Sequence, residues 1–206
     1  MKSSRKYITS ILSYITLRTI VHVMSAQGGV CPTNDVIDGY TCSRNVWGFV
    51  FSSLVLPLSQ SQQFRMIVFP FFLATDIIFE IHPVPFLIVL HHVICLVGHF
   101  MIWNCSSLLK YYTKIMVAFE FGSGLTNLYD WLRRFQIQTN WIVIVGMTVS
   151  NLTALYFVSK LGMDYYRKLK KTRGYYELIC VCLLCMCTLG FACIRQRETM
   201  ALIGFL

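Results

Sequence analysis

The feature that most constrains this chain is a series of apolar segments, most of them close to the length of a membrane-spanning helix. A helix needs about 20 mainly apolar residues to cross roughly 30 Å of hydrocarbon. Only 13% of the 206 residues are charged and 56% are hydrophobic, whereas a soluble domain has about 25% charged residues. Because the charged residues are too few to cover a water-facing surface, we predict an all-α, polytopic transmembrane helical bundle.

The apolar pattern predicts six transmembrane segments and a marginal further one at the start of the chain. Arg18 and His22 interrupt the marginal segment, so we interpret it as a retained anchor. The alternative, a secretory signal peptide, has a short and uncharged apolar core. We divide the chain into an N-terminal anchor with a polar loop (residues 1–44) and one transmembrane domain (residues 45–206). The predicted segments are residues 7–24, 46–58, 66–79, 86–103, 112–131, 141–158 and 178–194.

The distribution of Lys and Arg predicts a cytoplasmic N-terminus. If seven segments cross, 12 basic residues lie on the N-terminal side of the membrane and five on the opposite side, and the richer side is the cytoplasmic one. Six of the 12 lie between Lys160 and Arg173, where we expect contact with anionic lipid headgroups. This placement beside membrane segments argues against a nucleic-acid partner. The five basic residues on the opposite side are Arg44, Arg133, Arg134, Arg195 and Arg197.

The sequon that begins at Asn104 would face the cytoplasm and stay unglycosylated.

Seven of the nine cysteines lie in or beside apolar segments, where a free thiol behaves as a small hydrophobic group. Cys31 and Cys42 differ, because both lie in the polar stretch that ends the N-terminal region. If that stretch faces an oxidising compartment, the two form a candidate disulfide.

Ionisable side chains interrupt several of the apolar segments. Each costs at least about 2.5–3.5 kcal/mol at bilayer depth on insertion scales, so each is expected to face the bundle interior or a cavity. These residues are Asp76, His91, His92, His99 and Glu120.

Three side chains of the fourth segment, His92, Cys95 and His99, share one helical face. A metal site is one interpretation of this face, and hydrogen bonding between helices is another. We predict no metal. A third interpretation is catalytic, because histidine suits general-base chemistry near neutral pH. Glu120 or Asp76 would then orient the imidazole while it deprotonates an amine or hydroxyl that attacks a thioester.

The run from Asp76 to Gly98, with its paired histidines, resembles the TLC-domain family. In that family an Asp-bearing helix precedes a span that opens with paired histidines. The stretch from Phe119 to Asn127 resembles a block that many members write as Ser-Glu-x-Thr-Asn-Pro. The resemblance covers roughly Asn45 to the C-terminal end, and it implies a TLC-like bundle of six or seven spans.

The resemblance implies a protein of the endoplasmic reticulum or another endomembrane that binds or modifies membrane lipids and influences their composition. One alternative is an acyltransferase that resembles ceramide synthase, with acyl-CoA as co-substrate, a sphingoid base as acceptor and no other cofactor. The chain departs from that subgroup at Phe119–Glu120, where ceramide synthases commonly carry His-Asp. A second alternative is a trafficking adaptor, and a homodimer is left open. The candidate catalytic residues are His91, His92, Glu120 and Asp76, and the candidate lipid-binding residues are His99 and Asn127.

Overall fold

The computed structural model describes residues 2–26, 30–31, 40–78, 86–137, 139–168 and 175–202, and these form a bundle of helices. The all-α prediction is confirmed, and the predicted apolar segments are helical except for Phe79, which lies outside the described residues. The helices are α1 (Lys2–Ala26), α2 (Cys42–Phe49, continuing through a π-helical stretch Val50–Val55 to Leu56–Leu58), α3 (Gln62–Ile78), α4 (Phe86–Trp103), α5 (Ser106–Arg133), α6 (Asn140–Lys168) and α7 (Tyr175–Leu202).

Three of the described helices, α1, α6 and α7, are long and apolar enough to cross a membrane. Their apolar stretches are Lys6–Ser25, Asn140–Arg167 and Tyr175–Ala201, and α4 contains a shorter one, Val89–Trp103. Many large apolar side chains on their outer faces are exposed, including Val149 and Leu152 of α6 and Met186 and Leu189 of α7. An outer surface of this kind is consistent with a membrane protein, whose lipid-facing residues need no polar groups.

The helix α5 occupies the middle of the bundle, where it packs along α6 and α2 and also contacts α3, α4 and α7. Two glycines permit its close approach to α2. A Cβ atom at Gly124 would collide with Ser53, and one at Gly48 would lie 2.7 Å from the side chain of Asn127. Polar residues of α5 therefore meet α2 in the interior of the bundle.

The described residues of the polar loop before α2 are attached to the bundle by a disulfide and by hydrogen bonds. Cys31 and Cys42 form a disulfide with a Cα–Cα distance of 5.8 Å, and the indole Nε1 of Trp131 donates to the carbonyl of Val30 at 2.8 Å. The side chain of Thr41 caps α2 by accepting from the backbone N–H of Arg44 at 3.3 Å. These contacts set the position at which α2 begins and so place Arg44 within its first turn.

The N-terminal helix α1 packs on α2 and α3. Its Tyr14 is buried, donates to or accepts from the Thr75 hydroxyl at 2.6 Å, and packs edge-on against the rings of Trp47 and Phe51. The predicted anchor thus contacts α3 through a hydrogen bond and α2 through aromatic packing.

Candidate functional site

A buried ion pair joins α2 to α3. Arg44 donates from Nε to Oδ1 of Asp76 at 2.9 Å and from Nη2 to Oδ2 at 2.5 Å, and the two side chains are only 8% and 1% exposed. The remaining Nη1 donates to Oδ1 of Asn127 on α5, and the guanidinium lies 3.7 Å from the centre of the Tyr40 ring. A charge taken out of water at this depth is tolerated only with partners of this quality, so Arg44 holds three elements together.

His92 approaches the same carboxylate from α4. Its Nε2 lies 3.6 Å from Oδ2 of Asp76, which is longer than a hydrogen bond. Its Nδ1 is buried and has no hydrogen-bond partner among the described residues. The structure therefore places His92 near Asp76, which the catalytic interpretation offered as an orienting group, but Asp76 is already held on both oxygens by Arg44.

Glu120 of α5 has a different partner. It accepts a hydrogen bond from the Ser52 hydroxyl at 2.9 Å, and Ser52 lies in the π-helical stretch of α2. Stretches with this wider turn are often found at functional sites in α-helices. The neighbouring Ser53 donates to the carbonyl of Phe121 at 3.3 Å. Two successive serines of α2 therefore face the part of α5 that carries the buried carboxylate.

A cavity of about 210 Å³ lies between α4, α5 and α7. Along α7 its wall runs from Cys180 to Arg195, roughly 22 Å of helix at about 1.5 Å per residue, so the cavity is elongated. The lining residues His91, Glu120 and Arg195 lie towards one end of this wall, whereas Met101 and Cys180 line the other. Most of the remaining lining is apolar: Phe69, Ile94, Val97, Gly98, Ile102, Ile115, Met116, Phe119, Leu183, Leu184 and Phe191.

The cavity opens at the outer, apolar face of the bundle. Three of its lining residues, Ile94 and Val97 of α4 and Leu183 of α7, are also exposed on the molecular surface. An opening flanked by exposed aliphatic side chains on two helices is suited to the entry of an apolar chain from the surrounding hydrocarbon.

No family model, curated protein or solved structure matches this chain.

Arg195 is the cationic residue of the cavity, and its contacts hold it in place without neutralising it. Its Nη1 donates to the carbonyl of Phe119 at 2.8 Å, its Nη2 lies 3.0 Å from the Met147 sulfur, and its guanidinium lies 5.1 Å from the centre of the Phe119 ring. Its Nε is buried without a hydrogen-bond partner among the described residues. None of these contacts is an anion.

The paired histidines have separate environments. His91 lines the cavity, packs edge-on against Phe191 with 4.7 Å between ring centres, and lies 3.7 Å from the Cys95 sulfur through Nε2. His92 lies next to Asp76, as described above, and is not among the cavity-lining residues. The pair therefore divides between the two polar clusters of the bundle.

The two residues predicted to bind lipid lie outside the cavity lining. His99 is fully buried and its Nδ1 is 3.1 Å from the Tyr112 hydroxyl. Asn127 accepts from Arg44 and donates to the Ser123 carbonyl at 2.9 Å. Their present partners are protein groups, so both residues hold helices together in this structure.

The metal interpretation of His92, Cys95 and His99 concerns residues with other neighbours. Within the part of the chain that the structure describes, no group of three or more His, Cys, Asp or Glu is arranged to hold a metal ion. Elsewhere in the bundle, the sulfurs of the free cysteines Cys105 and Cys180 lie 3.8 Å apart.

Three functional candidates were not identified by reasoning from sequence, namely Arg44, Ser52 and Arg195. Both arginines had been counted as charges outside the membrane segments. A signal for Arg44 is Thr41, a good N-cap residue that predicts a helix start before Arg44. A signal for Arg195 is the lack of Gly or Pro between Ile194 and Gly204, because α7 then has no reason to stop at Ile194.

Proposed function

We propose that this chain is a multi-pass membrane protein of the TLC type that binds or modifies membrane lipids and so influences membrane lipid composition. The observation that carries the proposal is the elongated cavity between α4, α5 and α7, which is apolar along most of its length and charged at one end. A lipid has the same division into an apolar chain and a polar head. Six or seven crossings, with a cytoplasmic N-terminus and a place in an endomembrane, belong to the same proposal.

The size of the cavity limits how much of a lipid it takes. Cavities that enclose a drug-sized ligand measure roughly 300–1,000 Å³, and this one measures about 210 Å³. We infer that a single chain enters it, while any further chain stays in the bilayer outside Ile94 and Val97. Lys160 and Arg167, at the far end of α6, are available for anionic headgroups at the membrane surface; residues 169–174 of the predicted basic segment lie outside the described residues.

Gly98 allows the cavity to be filled without disturbing the fold. It lines the cavity, and a Cβ atom built on it has no neighbour within 4 Å, so a leucine side chain has room to enter the space that a lipid chain would use. Gly190 of α7 is a matched control, because its Cβ would also meet nothing within 4 Å and the residue is exposed away from the cavity lining.

The experiment is to purify the wild type, Gly98→Leu and Gly190→Leu in a nonionic detergent and to quantify retained lipid by mass spectrometry. We expect the wild type and Gly190→Leu to retain one lipid molecule per protein molecule and Gly98→Leu to lose it. Equal retention by all three proteins, or retention by none, would contradict a lipid site in this cavity. Size-exclusion profiles and melting temperatures establish that the three proteins are equally well folded.

The acyltransferase alternative has one supporting observation, the 3.6 Å approach of His92 Nε2 to Asp76. A general base needs both access to the reacting group and a defined hydrogen-bond partner. Here His91 lines the cavity and His92 lies near the carboxylate, so these properties belong to different residues. Incubation with labelled acyl-CoA and a sphingoid base tests this alternative: transfer that His91→Ala or His92→Ala abolishes would support it. In the adaptor alternative, neither variant and no cavity substitution would alter function.

A further inference from the structure

The charged end of the cavity contains one carboxylate and one guanidinium that face a common space from different helices. Glu120 is on α5 and Arg195 is on α7, and both line the cavity. The ion pairs found among the described residues join other partners, and none links these two side chains within 4 Å. A carboxyl group and a guanidinium group therefore line the same end of the cavity without being in direct contact.

Each of the two side chains can still form a charged contact with a ligand. Glu120 accepts from the neutral Ser52 hydroxyl, so a cationic or hydrogen-bonding group on a ligand would be its first charged partner in contact. Arg195 donates to a neutral carbonyl and lies against a thioether, so its positive charge has no oxyanion in contact. Burial makes a charge without a counter-ion costly, and a ligand that supplies both signs offsets that cost.

The combination of charges decides among headgroup classes. A purely anionic head beside Arg195 would also face Glu120, and a purely cationic head beside Glu120 would also face Arg195. A neutral glycerol head would leave both charges without counter-ions. A zwitterionic head presents an anionic oxygen to the guanidinium and a cationic nitrogen to the carboxylate, which is the complementarity that favours one partner over others.

We propose that this cavity selects a zwitterionic amphiphile, whose anionic oxyacid group binds Arg195, whose ammonium group binds Glu120, and whose acyl chain lies along α4 and α7 towards Met101 and Cys180. This proposal rests on the proposed function and specifies the ligand class of the same site. The proposed binding involves no covalent step.

Chain-matched competitors provide the test. The assay binds radiolabelled lysophosphatidylethanolamine to the full-length protein in nonionic detergent. It then measures displacement of the label by four unlabelled compounds: lysophosphatidylethanolamine, lysophosphatidic acid, an alkylamine and a monoacylglycerol. We expect lysophosphatidylethanolamine to displace the label at concentrations at least about tenfold below the other three, as expected for the loss of one charge-assisted hydrogen bond. Phosphoethanolamine without a chain should not displace it, because the chain supplies the apolar contacts.

The variants are expected to alter selectivity in opposite directions. Glu120→Gln should improve the relative binding of lysophosphatidic acid, and Arg195→Gln should improve that of the alkylamine. Arg195→Lys keeps the charge and should keep the wild-type order. Arg197→Gln is the matched control, since Arg197 lies on the same helix but is exposed, and it should change nothing.

Two kinds of failure are distinguishable. If all four chain-matched compounds displace the label equally and Gly98→Leu abolishes binding, the cavity binds lipid and the zwitterion proposal is wrong. If no compound displaces the label, or if Gly98→Leu binds it as well as the wild type, the lipid-binding function of this cavity is itself overturned. A parallel loss of affinity for every head in Glu120→Gln and Arg195→Gln would also overturn the assigned contacts.

Discussion

Arg44 and Asp76, which are 32 residues apart in the chain, meet through two hydrogen bonds of 2.9 and 2.5 Å in the interior of the bundle. The pair connects the first turn of α2 to the last turn of α3. Through Nη1, Arg44 also reaches Asn127 on α5. This relationship positions the α2–α5 contact from which Ser52 reaches Glu120, so its integrity affects the cavity as well as stability.

Removal of one partner of this pair should be strongly destabilising. Asp76→Asn leaves the buried guanidinium without its counter-charge, and we expect a loss of about 3–5 kcal/mol in unfolding free energy. The double variant Arg44→Met/Asp76→Leu should lose less than the single variant, because it leaves no buried charge unpaired. Thermal or denaturant unfolding in detergent measures both.

The control for that comparison is Arg133→Gln. Arg133 lies 3.9 Å from Asp130, and its side chain is 45% exposed. Exposed pairs contribute about 0–1 kcal/mol, so the change should be small. A loss in Arg133→Gln as large as that in Asp76→Asn would show that the burial of the Arg44–Asp76 pair does not account for its importance.

Replacement of Ser52 by alanine should affect Glu120 directly. The substitution removes the hydroxyl that donates to the carboxylate at 2.9 Å, and a buried acceptor that loses its donor costs about 1–3 kcal/mol. Ser53→Ala is the neighbouring control, because Ser53 makes a longer bond of 3.3 Å to a backbone carbonyl. Unfolding free energies should fall further for Ser52→Ala, and equal losses would argue against a special Ser52–Glu120 interaction.

The disulfide predicts a redox-dependent stability. Cys31→Ser and Cys42→Ser should each lower the unfolding free energy by about 2–4 kcal/mol, since a cross-link restricts the unfolded chain. Reduction of the wild type with dithiothreitol should give a similar loss. Cys193→Ser, which removes an exposed free thiol, should leave the melting temperature unchanged. Non-reducing mass mapping that finds Cys31 and Cys42 as free thiols in protein from cells would contradict the cross-link.

Glycosylation mapping tests the predicted topology. With a cytoplasmic N-terminus and seven crossings, Asn104, which is exposed after α4, faces the cytoplasm and should carry no glycan. Val36→Thr converts Asn34-Asp35-Val36 into a sequon on the opposite side, and it should add one glycan that an endoglycosidase removes. A glycan on Asn104, with none on Asn34 of the Val36→Thr variant, would reverse the orientation.

The count of basic residues on the two sides of the membrane includes arginines that contact groups inside the bundle. Of the five basic residues that it assigned to the non-cytoplasmic side, Arg44 and Arg134 are buried, and Arg195 lines the cavity. These arginines contact a carboxylate or backbone carbonyls within the bundle. They therefore contribute less to the exposed charge of that side than the sequence suggested.

The sequence by itself determined the helices. Apolar segments of helical length, with polar connections between them, fix which residues can be helical, because every backbone N–H and C=O in an apolar medium must be satisfied within its own helix. The predicted segment 86–103 coincides with α4, and the other predicted segments lie within longer helices apart from Phe79. Composition likewise indicated that the chain has too few charged residues to cover a water-facing surface.

Only the tertiary structure decided which polar side chains meet. Sequence reasoning identified Asp76, His92 and Glu120 as buried, but their partners Arg44 and Ser52 come from α2, and the register of α2 against α5 depends on packing at Gly48 and Gly124. A helical turn advances about 5.4 Å, so a shift of one turn would exchange every such contact. Interhelical distances of this kind are set by side-chain packing across the bundle, which the order of residues along a single helix does not contain.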